Sequence, residues 1–228
     1  IDPAKLNYKS GDEYLLSIPG RSNQMVAFID DSGRSYALEA HTLSSARSQG
    51  EPLSGRFNVP SGAHFAAALS APLQQQFLLL TDAGYGFLAN FSDLLSKNKA
   101  GKGCISVPKG AKVLAPVTIK DVNHAWIAAA SNVGRLLLFP LSELPVLTRG
   151  KGNKMIDISP TSVAGREEYM VDITVLVSGA DLVVYSGKRH LRLKTADLGH
   201  YQGKRGQRGT RLPRGFQKVV RLDTRVRQ

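Results

Sequence analysis

The chain has 228 residues, 42% hydrophobic and 21% charged, which is enough apolar surface to bury a core and too much for a disordered tail. Thirty Lys and Arg against 18 Asp and Glu leave a net charge of +12, so the expected partner is a polyanion, either nucleic acid or an anionic membrane surface. No run approaches the roughly 18 uninterrupted apolar residues of a spanning helix, the first residues lack a signal peptide's character, and the lone Cys104 cannot make an internal disulfide, which together suggest a cytoplasmic protein without membrane integration.

Taken in chain order, residues 1–24 read as the closing part of a repeat whose opening strands are missing. Four repeats follow, at 25–76, 77–124, 125–180 and 181–228. Each opens with an apolar run, MVAFID (25–30), FLLLTD (77–82), AWIAAA (125–130) and DLVVYS (181–186). Each then passes a glycine turn into a second run, SYALEA (35–40), GFLANF (86–91), LLLFPL (136–141) and HLRLKT (190–195). Two apolar runs joined by a glycine turn are the signature of a hairpin. The turn glycines Gly33, Gly84, Gly134 and Gly187 are 51, 50 and 53 residues apart, and a leucine (Leu43, Leu94, Leu144, Leu198) follows each by 10 or 11 residues. A register kept through four copies marks an array of structural repeats. A later apolar run, such as HFAAALS (64–70), KVLAPVTI (112–119) or YMVDITVL (169–176), supplies a further strand.

Four short strands per unit, with glycine where a turn needs positive φ, describe one blade of a propeller-like, all-β domain. Helical periodicity is confined to single turns such as Ser92–Lys97, where Ser92 is the expected cap. Packing of blade on blade accounts for Tyr14, Phe28, Phe77, Trp126, Phe139 and Tyr185 as core residues without any function. Cys104 reads as a small buried side chain, and the five scattered histidines as structural or surface residues.

The basic residues concentrate in the loop that follows each repeat leucine. These loops supply Arg47 and Arg56; Lys97, Lys99 and Lys102; Arg149, Lys151 and Lys154; and Lys204, Arg205, Arg208, Arg211 and Arg214. Placed at one equivalent position on successive blades, they form a basic belt, and the glycines beside them let the backbone approach phosphates. The last 30 residues hold nine Lys or Arg and one acidic residue, so the final repeat is the expected electrostatic anchor. GKG at 101–103 and 150–152 lacks the spacing of a phosphate-binding P-loop, and no nucleophile elbow, zinc-ligand motif or paired carboxylate recurs at a blade position. A DNA-binding module is therefore the leading expectation. The alternative is a protein-interaction propeller whose basic rim takes an acidic protein.

Several long segments carry a resemblance: LNYKSGDEY (6–14), DSGRSYALEAHTLSSARSQGEPLSG (31–55), DAGYGF (82–87) with NKAGKG (98–103), and GRLLLFPLSELPVLTRGKGNK (134–154). Through them the chain resembles the C-terminal domain of the A subunit of bacterial type IIA topoisomerases, of the topoisomerase IV kind. The resemblance implies a β-pinwheel of about five four-stranded blades that exchange strands, the first incomplete here, with a basic rim that binds and bends duplex DNA without sequence preference. It implies that this domain has no catalytic residues, cofactor or metal. ATP and Mg2+ serve elsewhere in an enzyme that also includes a B subunit, together with the rest of the A subunit. It further implies a nucleoid-associated cytoplasmic location and a bacterial condensin as protein partner, for which GKRHLRL (187–193) and LPRGF (212–216) give Arg189 and Arg214 as contacts. Gyrase carries a Q-R-R-G-G-K-G box in its first-blade loop, and none occurs here. The early loop RSQGEPLSG (47–55) carries Glu51 instead, so weaker, open-ended bending is expected.

Overall fold

Aliphatic runs that alternate between two buried faces, broken by a glycine that can take positive φ, close here into hairpins. Gly33, Gly84, Gly134 and Gly187 have φ of 83°, 81°, 80° and 58°. The computed structural model describes residues 7, 8, 10–45 and 47–226; residues 1–6 of the expected remnant, Lys9 and the last two residues of the basic tail lie outside them. The elements in chain order are β1 (Met25–Asp30), β2 (Arg34–Glu39), β3 (Phe65–Leu69), β4 (Gln76–Thr81), β5 (Tyr85–Asn90), β6 (Lys102–Gly103), β7 (Val117–Ile119), β8 (Trp126–Ser131), β9 (Arg135–Pro140), β10 (Asn153–Lys154), α1 (Pro160–Ala164), β11 (Met170–Leu176), β12 (Ala180–Ser186), β13 (Arg189–Leu193), α2 (Thr195–Leu198), β14 (Thr210–Arg211) and β15 (Arg221–Val226).

They form four antiparallel sheets, ordered β3-β1-β2-β6, β10-β5-β4-β7, β11-β8-β9-β14 and β13-β12-β15. Three strands of each sheet come from one repeat. The fourth is only two residues long and comes from the basic loop of the next repeat, pairing Ser35 with Lys102, Tyr85 with Lys154 and Arg135 with Arg211. The carbonyl of each turn glycine anchors this donated piece. Gly33 O accepts the N–H groups of Cys104 and Ile105, both at 2.9 Å, Gly84 O accepts that of Met155 at 2.6 Å, and Gly134 O that of Leu212 at 2.9 Å. Cys104, Met155 and Leu212 then drop into the core. No repeat follows the last sheet among the described residues, and it has three strands.

Apolar cores lie between consecutive sheets. Ile29, Leu79 and Phe91 join the first to the second, Leu78, Ile127 and Phe139 the second to the third, and Leu138, Leu182 and Leu222 the third to the fourth. The outer face of the fourth sheet is polar. Arg192 pairs with the buried Asp181 at 2.8 Å, and the Arg221 guanidinium lies 4.2 Å above the Tyr185 ring. At the other end an aromatic cluster of Phe28, Tyr36 and Phe57 is covered in part by Ile18.

Residues 7, 8 and 10–24 of the expected remnant carry no strand. Tyr14, expected in the core, is 38% exposed, because that segment has no sheet of its own to bury it. Tyr185 is half-buried on the polar outer face rather than in the core. The helical turn expected at 92–97 is a 3-10 turn over Phe91–Leu94 capped by Asn90, not Ser92, with the Asp93 carboxylate accepting the Asn90 N–H at 3.1 Å.

Candidate nucleic-acid interface

Three of the four basic loops, all but 47–56, cross to the edge of the preceding sheet, so their cations stand beside its hairpin turn. The residue directly after the turn glycine holds each loop there. Arg34 donates from Nε and Nη2 to the Ala100 carbonyl at 3.0 and 2.7 Å, and from Nη2 to that of Gly101 at 3.1 Å. Arg135 donates to the Gly209 carbonyl at 3.2 Å. In the second sheet Tyr85 occupies this position, and Lys151 Nζ lies 4.2 Å from its ring centroid, a cation–π contact. Sequence reasoning left these three residues out; their fixed place after the turn glycine was the signal available.

The structure divides the expected belt residues into two groups. Arg47, Lys97, Lys99, Arg149, Lys151, Lys204, Arg211 and Arg214 are exposed, and Lys102 is half-buried on β6. None of them has a carboxylate within ion-pair distance among the described residues. The others are tied down. Arg56 grips both oxygens of Glu51, at 2.8 and 2.7 Å, and the Thr42 carbonyl. Lys154 pairs with Asp157 at 2.7 Å. Arg205 donates to the carbonyls of Glu143 at 3.1 Å and Lys154 at 2.6 Å. Arg208 spans both oxygens of Glu168 and reaches the Asp157 carbonyl at 3.0 Å.

The titration behaviour follows these ties. Hydrogen bonds from Arg56 and Ser44 pull Glu51 down to about 2, so it stays charged and keeps Arg56 neutralised. Burial pushes the Glu168 carboxyl upward, but its two hydrogen bonds from Arg208 prevail and hold it below the usual range. The Asp157 carboxylate raises Lys154. Burial pushes the Cys104 thiol up to about 11, which suits an inert core side chain.

The two segments holding Arg189 and Arg214 lie side by side, since Arg189 Nη1 is 3.0 Å from the place a Cβ on Gly215 would take. Both side chains are exposed.

A family profile described as the DNA gyrase C-terminal domain, beta-propeller, matches residues 75–120 and 125–162. The chain is 54% identical over 222 residues to the A subunit of DNA topoisomerase 4 from Pseudomonas aeruginosa, covering 97% of this chain and 29% of that protein. Against the Escherichia coli protein of the same name it is 43% identical over 223 residues, covering 98% and 29%. It thus spans 29% of the length of these curated relatives. Among solved structures, the E. coli ParC C-terminal domain is 42% identical with a TM-score of 0.91, covering 100% of this chain and 91% of that one. A DNA gyrase A C-terminal domain, 15% identical with a TM-score of 0.68 over 99% and 73% of the two chains, shares the fold. The exchanged edge strands are those of a β-pinwheel, and the chain belongs to the family of C-terminal domains of the DNA topoisomerase IV A subunit.

Proposed function

We propose that this chain is the non-catalytic DNA-binding and DNA-bending domain of a topoisomerase IV A subunit. It positions and selects duplex DNA for the ATP-dependent strand passage by which the whole enzyme decatenates chromosomes and relaxes supercoils at the nucleoid. The observation that carries this reading is the recurrence of free cations on each donated loop: Lys97, Lys99 and Lys102 beside the first sheet, Arg149 and Lys151 beside the second, and Lys204, Arg211 and Arg214 beside the third. Gly101, Gly152 and Gly209, at positive φ, keep these loops close to the sheet edge and spare of side chains, so a phosphate backbone can come near.

Binding is to the backbone rather than to base edges, since the longest helix among the described residues has five residues and offers no recognition helix to the major groove. If about six phosphates are neutralised, log K against log salt has a slope near −5, from roughly −0.9 per contact. Fluorescence anisotropy with two duplexes of unrelated sequence tests this. Equal affinities with a slope of that size are expected, and a slope near zero would overturn the belt.

The adjacency of Arg189 and Arg214 supports a second partner at the last sheet, a bacterial condensin, alongside the B subunit of the assembled enzyme, together with the remainder of the A subunit. A purified condensin hinge that bound the wild type and an Arg189→Ala/Arg214→Ala variant alike would remove that partner from this surface.

A further inference from the structure

After β14 the chain turns back past the hairpin of the third sheet and leaves an open cleft of about 590 Å3. Four cations line it, Arg135, Arg208, Arg211 and Lys218, together with Asn132 and Gln217. Two of these cations, Arg135 on β9 and Arg211 on β14, are direct cross-strand partners. Like charges directly opposite each other destabilise a sheet, so the pairing calls for a compensating anion.

The protein supplies one only in part. Glu168 places both carboxylate oxygens on Arg208, and its charge also reaches Arg135, so one carboxylate stands against the several cations of the cleft. Asn132 is held in place by the protein, donating to the Glu167 carbonyl at 3.1 Å and accepting from the Tyr169 N–H at 2.9 Å, and carries no charge to offset the cations. Arg135 gives one N–H to the Gly209 carbonyl, which fixes its guanidinium plane and leaves its other donors unassigned. Arg211 and Lys218 are exposed, with no carboxylate partner among the described residues. The surplus of positive charge also registers on Arg135 itself, where burial first, then Arg208 and Arg211, disfavour the charged form and outweigh the opposing pull of Glu168.

We propose that Arg135, Arg211 and Lys218 form a phosphate-binding notch that seats one backbone phosphate of a bound duplex. The proposal rests on the DNA-binding reading above and extends it to residues outside the basic loops, Arg135 on a strand and Lys218 on the connection to β15. Unlike the flexible loop lysines, Arg135 is held in place before the ligand arrives, so little side-chain freedom is lost on contact. A tetrahedral oxyanion suits three converging donors, and a guanidinium presents two parallel N–H groups to it.

The test uses the whole chain with a duplex titrated over a range of salt, and pyrophosphate as the free-anion probe. Lys218→Gln and Arg211→Gln, both at exposed positions, should each weaken duplex binding about fivefold to tenfold at 0.1 M salt and flatten the slope by about 0.9. Lys120→Gln, at an exposed lysine outside the cleft, should leave both unchanged. Arg135→Lys, checked for an unaltered melting transition, should lose affinity despite its retained charge. Duplex binding as tight and as salt-dependent as the wild type's in both Lys218→Gln and Arg135→Lys, neither of them a belt residue, would overturn the notch while leaving the belt intact. Pyrophosphate bound by the wild type and lost in those variants, with duplex ignored by all, would instead overturn the DNA reading and, with it, duplex as the source of the phosphate.

Discussion

Arg208 closes a two-pronged ion pair on Glu168, with Nη1 and Nη2 each 2.5 Å from one carboxylate oxygen, across 40 positions of sequence. The pair pins the last basic loop to the segment that leads into β11. Its carboxylate is 10% exposed and its guanidinium 42%, a setting between a surface pair and a buried one. We expect Arg208→Ala to destabilise the domain by on the order of 1–3 kcal/mol, read from urea denaturation. Because the depressed Glu168 carboxyl gives stability that is present above its unfolded value of about 4.5 and is lost as pH falls through the lower folded value, Glu168→Gln should flatten the stability curve in that acid window. A Glu168→Gln variant with the wild-type acid dependence would show the pair to be inconsequential.

Glu51 removes a cation from the first loop. Its carboxylate holds Arg56 through two hydrogen bonds and is itself pulled down to about 2, so the pair persists at any pH above about 3. We expect Glu51→Gln to release Arg56, tighten duplex binding severalfold and steepen the salt slope by about 0.9 if the freed guanidinium reaches a phosphate. The wild type should show no change in affinity from this loop between pH 5 and 8. Unchanged anisotropy titrations for Glu51→Gln would place the duplex out of reach of this loop.

The turn glycines differ in what surrounds them. A Cβ on Gly134 would lie 2.5 Å from Gln217 Cα, whereas one on Gly187 would meet nothing within 4 Å. Gly187→Ala therefore bears only the positive-φ penalty, about 1–2 kcal/mol. Gly134→Ala adds a backbone clash and strains the Leu212 N–H bond to the Gly134 carbonyl, for a total of about 3 kcal/mol or more. Thermal melts of the two variants should differ clearly in midpoint, and equal shifts would mean that the Gln217 segment moves aside from the third hairpin at no cost.

The hairpins were legible because they carry two signals at once, aliphatic runs such as FLLLT and a glycine at constant spacing. The donated strands were not, because two residues cannot show a period: Lys102 and Gly103 read as loop until the Gly33 carbonyl fixes the segment behind them. The same limit applied to the belt. Sequence placed Arg205 and Arg208 in a basic loop correctly, but the groups that occupy them, Glu143, Lys154 and Glu168, stand 40 to 62 positions away. Glu51 was readable as an interruption because it is only five positions from Arg56. Arg135 went unseen because it belongs to no charge run, and Lys218, counted among the cations of the last 30 residues, was not singled out because only the fold sets the two together.

The uneven distribution of free cations leads to a prediction about topology. Bending 20 to 30 base pairs by 40 to 90° costs on the order of 1–6 kcal/mol, which a continuous strip of phosphate contacts must offset. The strip is continuous from Lys97 through Lys151 to Arg214, where each donated loop offers cations without carboxylate partners. At 47–56 only Arg47 is free, since Glu51 occupies Arg56. We therefore expect a duplex to be held firmly along the middle and loosely at the first loop, to follow an open path and to trap little linking difference. We expect nicked circles religated on the protein to show only small linking-number shifts. Grafting Q-R-R-G-G-K-G in place of the segment around Glu51 should strengthen the weak end and increase the shift per bound protein. Large, protein-proportional positive shifts from the unmodified chain would show that the weak first loop does not limit wrapping.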